Sequence, residues 1–498
     1  MDWLKLSEAL DGFFWGKIII FLCLSAGIFF SIIMRFPQLR LIKDMVGQLF
    51  GGKSSEKGVS SFQGFAMALG GRVGTGNITG VASAIYFGGP GAVFWMWAIA
   101  FLGAGSAYIE SALAQVFKEE IHGEYRGGPA YYMERGLGSK RLGVAFALLT
   151  ILSCGVLLPG IQSNAFAMAA KASFGVDPIY IALMYAGLLG YIIFGGGKRI
   201  AKAAELIVPF MAIGYILLAL FILFVHYERI PSVFGLIFSS AFNMNAVYGA
   251  IFGSAISWGV KRGIFSNEAG QGTGAQAAGA AEVSHPAKQG LVQAFSVYVD
   301  TLFVCSATAI MIISTNAFNV ANPAGGFITE NIAGIEYGNF TQTAVNSVVP
   351  GFGGGFVAIA LFLFTFTTVL AYAFYTDSNV GYLFRENSNG MGYKATLLSS
   401  RIVICLVTFV GALMSANMVW NFGSAGVGAM AWFNVIVILF LTKPGIRTLR
   451  DYEEQKGLGL DPVFVPERCG IKGAELWDSI VKRNYAAQLA ELQAKERR

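Results

Sequence analysis

Two stretches of this chain set polar groups and glycines inside long apolar runs. They are Gly70-Gly71-Arg72-Val73-Gly74-Thr75-Gly76-Asn77-Ile78-Thr79-Gly80 and Lys261-Arg262-Gly263-Ile264-Phe265-Ser266-Asn267-Glu268-Ala269-Gly270. Arg72, Asn77 and Gly80 recur as Arg262, Asn267 and Gly270 at one offset of 190 residues, which also pairs Ser106, Tyr108 and Glu110 with Ser296, Tyr298 and Asp300. Each glycine weakens a helix by about 1 kcal/mol, so a run of them leaves backbone unwound. Unwinding frees carbonyl oxygens that can coordinate a hard cation such as Na⁺. It also starts a new helix, whose free N–H groups and dipole attract a carboxylate. One break thus offers anion capture for an amino acid and oxygen ligands for a driving ion, and a long-period repeat of such breaks is the mark of a secondary transporter. The competing reading is helix packing, because Gly70/Gly74 and Gly76/Gly80 are pairs of small residues four apart. Packing requires neither Arg72 and Asn77 nor their copies, and an arginine at mid-span costs roughly 2.5–3.5 kcal/mol.

Other residues join this chemistry. Thr365-Phe366-Thr367-Thr368 clusters hydroxyls in an apolar helix, either as cation ligands or bonded back to their own helix. Gln162, with Ser163 and Asn164, is a polar cluster just after Pro159-Gly160, which should bend its helix. An amide there would suit the ammonium or carboxylate of a substrate. Phe166, Trp258 and Tyr372 are candidate pocket walls, against the alternative of packing. Glu110, Asp300 and Glu268 are intramembrane acids that serve either function or a structural pair with Arg72 or Arg262.

The elements that must hold these residues are membrane helices. The 498 residues are 55% hydrophobic and 13% charged, with a mean hydropathy of +0.60, where a soluble domain is nearer a quarter charged. Runs such as Ile18–Ile33 and Leu206–Val225 are unbroken rather than alternating, which gives helices and not barrel strands. A peripheral helix is expected at 17–35, then spans near 60–87, 90–118, 142–170, 178–196, 201–226, 246–283, 288–316, 349–384, 395–417 and 422–442. That makes about eleven transmembrane helices, two of them discontinuous. A short surface helix is expected at 231–241, a long loop at 317–348 and a charged amphipathic tail helix at 473–498.

Basic residues gather on one set of loops, including Arg35 to Lys57 with Lys53, Lys118 to Arg141, Arg385 to Lys394 and the tail from Lys443. The 317–348 loop carries Glu330 and Glu336 and no basic residue. The bias places the basic side in the cytoplasm, with the N-terminus outside and the C-terminus inside a cytoplasmic membrane. The second repeat then enters from the opposite side, so the repeats are inverted. The expected division is 1–58 for an N-terminal segment, 59–226 and 246–442 for the two repeats, 227–245 for an outer linker and 443–498 for the tail. The net charge of +6 reads as topology and not as nucleic-acid binding. Cys23, Cys154, Cys305, Cys405 and Cys469 show no paired spacing, so neither a disulfide framework nor a metal centre is suggested.

Three segments resemble signatures of the alanine or glycine:cation symporter family. They are Gly88-Gly89-Pro90-Gly91-Ala92-Val93-Phe94-Trp95-Met96-Trp97, Tyr125-Arg126-Gly127-Gly128-Pro129-Ala130-Tyr131-Tyr132-Met133, and Arg262 through Gly270. The resemblance covers about 60–442. It implies a leucine-transporter-like (LeuT-like) five-plus-five inverted repeat and Na⁺- or H⁺-coupled uptake of a small neutral amino acid. Position by position, it implies that the amides of Thr75 and Gly76 hold the substrate carboxylate and that Asn77 contacts substrate or ion. The carbonyls of Gly70 and Val73, with the hydroxyls of Thr367 and Thr368, would form a sodium site. The chain departs from the family pattern at Gln271-Gly272-Thr273-Gly274-Ala275, at Ala371-Tyr372 and at Asp377. The expected substrate is D- or L-alanine or glycine, with a larger amino acid such as glutamine as the alternative. A channel would need a continuous polar stripe. An intramembrane enzyme would need a motif such as H-E-x-x-H or G-x-S-x-G, and the chain has neither.

Overall fold

The first interrupted helix begins at a reciprocal cap. Ser60 Oγ accepts from the Gln63 amide at 3.1 Å, and Gln63 Oε1 accepts from the Ser60 amide at 3.0 Å. In a computed structural model, which describes residues 2–52, 54–244 and 247–497, this helix runs Ser61–Arg72 and stops at Val73, whose backbone is extended. It resumes as a π-turn, Gly76–Gly80, and a helix, Val81–Gly88. Lys53 and the expected start of a span at Ala246 lie outside the described residues.

The second interrupted helix runs Phe252–Asn267 and resumes at Gly274–Ala280. The 190-residue offset predicts the two breaks at matching positions. Instead, residues 261–267 stay helical and the chain unwinds from Glu268. Gly263 there serves close packing, since a Cβ on it would lie 2.3 Å from Ile99. The left-handed turns come later, at Glu268, Gly270 and Gly272, with φ of 56°, 81° and 88°.

Eight helices among the described residues are long and apolar enough to cross a membrane: Trp3–Ile33, Gly91–Val116, Lys140–Phe174, Gly197–Val225, Pro286–Ser314, Gly353–Leu383, Met391–Gly411 and Ala416–Phe440. Pro178–Ile193 is a shorter apolar helix. The first of these is a pair, Trp3–Phe14 and Lys17–Ile33, where only 17–35 was expected. The bend expected at Pro159 takes the form of a π-turn, Ser153–Leu157, just before it. The interrupted helices pack among Gly91–Val116, Pro286–Ser314 and Gly353–Leu383, three spans with largely buried surfaces. Small residues permit the approach: a Cβ on Gly290 would lie 2.7 Å from the Tyr108 ring.

Two outer segments differ from expectation. The 317–348 stretch is not a bare loop. It forms an antiparallel hairpin, Asn319–Ala321 with Phe327–Glu330, and a helix, Phe340–Val348. Asn319 holds it by donating to the Ile332 carbonyl at 2.7 Å and accepting from the Ile332 amide at 2.9 Å. The tail, expected as one helix at 473–498, is two, Leu476–Asn484 and Ala486–Glu496, lying against the protein. Trp477 is fully buried and donates from Nε1 to the Gln115 carbonyl at 2.9 Å. The surface helix expected at 231–241 spans Ile230–Ala241.

Candidate substrate and ion site

The first break is held open by two side-chain amides. The Gly74 amide donates to Asn77 Oδ1 at 2.9 Å, and the Thr75 amide donates to Gln162 Oε1 at 3.1 Å. In an uninterrupted helix those two donors would serve the carbonyls of Gly70 and Gly71. The Asn77 amide turns back to Gly74 O at 3.2 Å, which leaves the Val73 carbonyl free as well. The Thr368 hydroxyl lies over the opening, 3.0 Å from Gly70 O and 3.2 Å from Val73 O, while also 2.9 Å from Phe364 O of its own helix. Three oxygens from two helices therefore converge on one point. The Thr367 hydroxyl turns the other way, to the carbonyls of Leu363 at 3.1 Å and Phe364 at 3.0 Å of its own helix. The three oxygens of Gly70, Val73 and Thr368 fit a monovalent hard cation. Thr367 would join them only after rotating about χ1.

The substrate candidates divide into two groups. Gln162, Thr75 and Tyr372 come together, with the Tyr372 hydroxyl facing Gln162. Gly76 is pressed against the second interrupted helix, where a Cβ would lie 3.1 Å from Ser266 Cα. Phe166 sits one turn from Gln162 in an aromatic cluster with Tyr185 and Phe362, at centroid distances of 5.9 and 5.2 Å. Trp258 stands apart, stacked on Phe87 at 4.4 Å, with the Arg262 guanidinium 5.0 Å from its ring.

A cavity of about 800 Å³ opens above the first break and is lined by Thr79, Phe87, Asn164, Glu330, Glu336 and Trp420. Its acidic rim belongs to the hairpin segment. Arg262 packs beside this cavity, 4.7 Å from the Trp420 ring.

The two acids of the repeat cross over. Asp300, in the span after the second break, accepts from Asn77 Nδ2 of the first break at 2.6 Å. Glu110, in the span after the first break, accepts from the Gly272 amide of the second break at 3.1 Å and from Asn434 at 2.8 Å. Neither is ion-paired with Arg72 or Arg262. Arg72 donates to Gln293 Oε1 at 3.1 Å and the Gln293 carbonyl at 3.3 Å. The matched asparagines end on adjacent residues, because Asn267 Nδ2 donates to Thr301 Oγ1 at 3.3 Å while Asn77 reaches Asp300. Ser266, at 2.9 Å from Asp300 Oδ2, and Thr308, which donates to the Asn77 carbonyl at 2.6 Å, complete this cluster. Reading the sequence missed both. Ser266 lies inside a quoted motif, whereas nothing in the sequence marks Thr308.

This geometry meets a family match. The sequence profile described as the sodium:alanine symporter family matches residues 2–466. The chain belongs to that family. It is 55% identical over 471 residues to YrbD of Bacillus subtilis (strain 168), covering 94% of this chain and 96% of that protein. It is 48% identical over 434 residues to the sodium/proton-dependent alanine carrier protein of Bacillus sp. (strain PS3), covering 87% of this chain and 96% of that one. Among solved structures, MhsT in complex with L-phenylalanine superposes with a TM-score of 0.52 over 88% of this chain and 98% of that one, at 14% identity. The likeness gives the fold, LeuT-like and mostly helical. As a member of this family the chain is a multi-pass carrier of small amino-acid substrates.

Proposed function

We propose that the protein brings a small neutral amino acid, alanine or glycine, into the cell together with Na⁺ by alternating access. The observation that carries this reading is the Thr368 hydroxyl at 3.0 and 3.2 Å from the two unwound carbonyls of Gly70 and Val73. The same break that frees those oxygens offers the substrate-facing groups Thr75, Gly76 and Asn77, with Gln162 and Tyr372 opposite. Phe166 and Trp258 belong to the outer walls in this reading. The Na⁺ site takes Gly70, Val73 and Thr368, with Thr367 recruited by rotation.

Sodium binding ties the Gly353–Leu383 span to the first interrupted helix. The substrate carboxylate then displaces Gln162 from the Thr75 amide and completes the site. The interrupted helices rock against the other spans, in halves 59–226 and 246–442 of inverted topology, with the basic face in the cytoplasm. One Na⁺ entering down 100 mV releases about 2.3 kcal/mol. At about 1.36 kcal/mol per tenfold, that sustains roughly 50-fold accumulation of a neutral substrate. The similarity to a sodium/proton-dependent alanine carrier of Bacillus sp. (strain PS3) supports alanine, sodium and also protons. The test is uptake of labelled glycine, D-alanine, L-alanine and glutamine into proteoliposomes with and without an inward Na⁺ gradient. Uptake that ignores the gradient would remove the sodium from this reading.

A further inference from the structure

Six acids are buried among the described residues: Glu110, Glu268, Glu282, Asp300, Asp377 and Asp451. Five have donors. Asn434 gives to Glu110 at 2.8 Å, Tyr485 to Glu282 at 3.0 Å, Asn77 to Asp300 at 2.6 Å, Arg401 to Asp377 at 2.6 Å and Arg468 to Asp451 at 2.7 Å. Glu268, only 1% exposed, has no donor in good hydrogen-bond geometry on either oxygen, although the Thr273 and Tyr375 hydroxyls lie close to it. A buried carboxylate whose hydrogen bonds are not made is disfavoured in its charged form.

A second observation is independent of the first. Glu268 has φ of 56° at the point where the second interrupted helix stops. Side chains rarely adopt that left-handed region, and such strain persists where the surrounding structure imposes it, often at functional sites. The carboxyl faces the Thr273 and Tyr375 hydroxyls, which are buried and make no other hydrogen bond. The charged and titratable groups facing it are Arg72 from the first interrupted helix, Glu110, Asp300, Cys154, and Tyr372 with Tyr375. Two guanidinium nitrogens of Arg72, Nε and Nη2, are also unpartnered.

Resting on the transport reading above, we propose that Glu268 is a second coupling-ion site and that the ion is a proton. A protonated carboxyl is neutral and gains one O–H to give to a facing hydroxyl. A metal ion would need a shell of several oxygens, and the neighbours include a guanidinium that cannot be a ligand. The O–H bond forms with a proton from water on the loading side. It breaks when the helices rock and that proton returns to water on the release side. Glu268 sits in one of the two moving elements, so its protonation and the Na⁺ site report on the same rearrangement.

The experiment uses full-length protein in proteoliposomes with trapped pyranine, a valinomycin clamp and an inward Na⁺ gradient. Addition of alanine should acidify the lumen by about one proton per alanine. At fixed Na⁺, a one-unit inward pH gradient should shift the equilibrium alanine ratio about tenfold. Glu268→Gln should take the proton-to-alanine ratio to zero at whatever rate remains. Should that variant fail to fold, the wild-type equilibrium shift still decides. Na⁺-driven alanine uptake with neither acidification nor a pH-gradient shift overturns the proposal and leaves the transport reading intact. An alanine ratio that follows the square of the Na⁺ gradient and ignores pH also overturns it, by giving a second sodium instead. Absence of Na⁺-driven uptake overturns the transport reading, and this proposal with it.

Discussion

Asn77 donates to the Asp300 carboxylate over 2.6 Å and so ties the first break to the span that follows the second. The same Asn77 accepts from the Gly74 amide at 2.9 Å. One side chain therefore keeps the helix unwound and anchors it across the repeat. Removing it leaves a buried carboxylate short of a donor, a loss of about 1.5–3 kcal/mol for a hydrogen bond to a charged group. Asn77→Ala should lower Na⁺-dependent uptake by about 10- to 100-fold at matched membrane expression. Uptake within twofold of wild type would show that the break does not depend on this residue.

The two threonines should behave differently. Both bond back to their own helix, but only Thr368 also reaches the freed carbonyls of Gly70 and Val73. Thr368→Ala should raise the Na⁺ concentration for half-maximal uptake by about tenfold or more, in line with the loss of an oxygen worth about 1.5 kcal/mol. Thr367→Ala should change it by about threefold or less. Equal effects would mean that both hydroxyls turn toward the ion in the working cycle.

Gly74 is required for close approach. A Cβ there would lie 2.6 Å from Thr368 Oγ1 and 2.9 Å from Gln162 Oε1. Both neighbours belong to the proposed site, so Gly74→Ala should abolish Na⁺-activated binding while the protein still reaches the membrane. Isothermal titration of alanine in the presence of Na⁺ reads this directly. A retained binding isotherm would mean that the site lies elsewhere.

Docking of the tail should depend on pH. Lys118 lies just past the Gly91–Val116 span, 4.3 Å from the Tyr125 ring, 4.8 Å from the Trp477 ring and 3.1 Å from the Ala281 carbonyl. Burial pushes its ammonium down to about 7, with Glu282 opposing. Once released it titrates like an ordinary lysine, near about 10.4. Between those values the undocked state binds the extra proton, so docking strengthens as pH rises from about 7 to about 10 and is weakest below that window. Limited proteolysis after residue 458 should slow as pH is raised from 7 to 9, once corrected for the protease's own profile. Lys118→Met should flatten the dependence.

Much of this protein was legible in its residues. The long apolar runs defined membrane helices because hydrocarbon leaves the backbone no other partner. Glycines beside Asn77 marked the first break correctly, since local backbone preference acts within a few residues. The second break was read too early. Gly263 resembles a helix breaker in the sequence but serves packing against Ile99 in the fold. Thr367 and Thr368 are adjacent and chemically identical, and a helix turns successive residues by about 100°, so only the packed bundle shows which hydroxyl faces Gly70. The tail's charged composition marked an amphipathic helix, and it gave no sign that Trp477 would seal against Gln115.

The sequence by itself determined a helical membrane carrier with two interrupted helices, because hydropathy and glycine content are properties of single segments. The tertiary structure decided which partners those interruptions acquire. Asp300 serves the first break and Glu110 the second, with 223 and 162 residues between the bonded groups. Periodicity within a segment carries no information about contacts at that separation. Glu268 follows the same rule: its type is written in the chain, but its lack of a donor in good geometry emerges only when every neighbouring helix is in place.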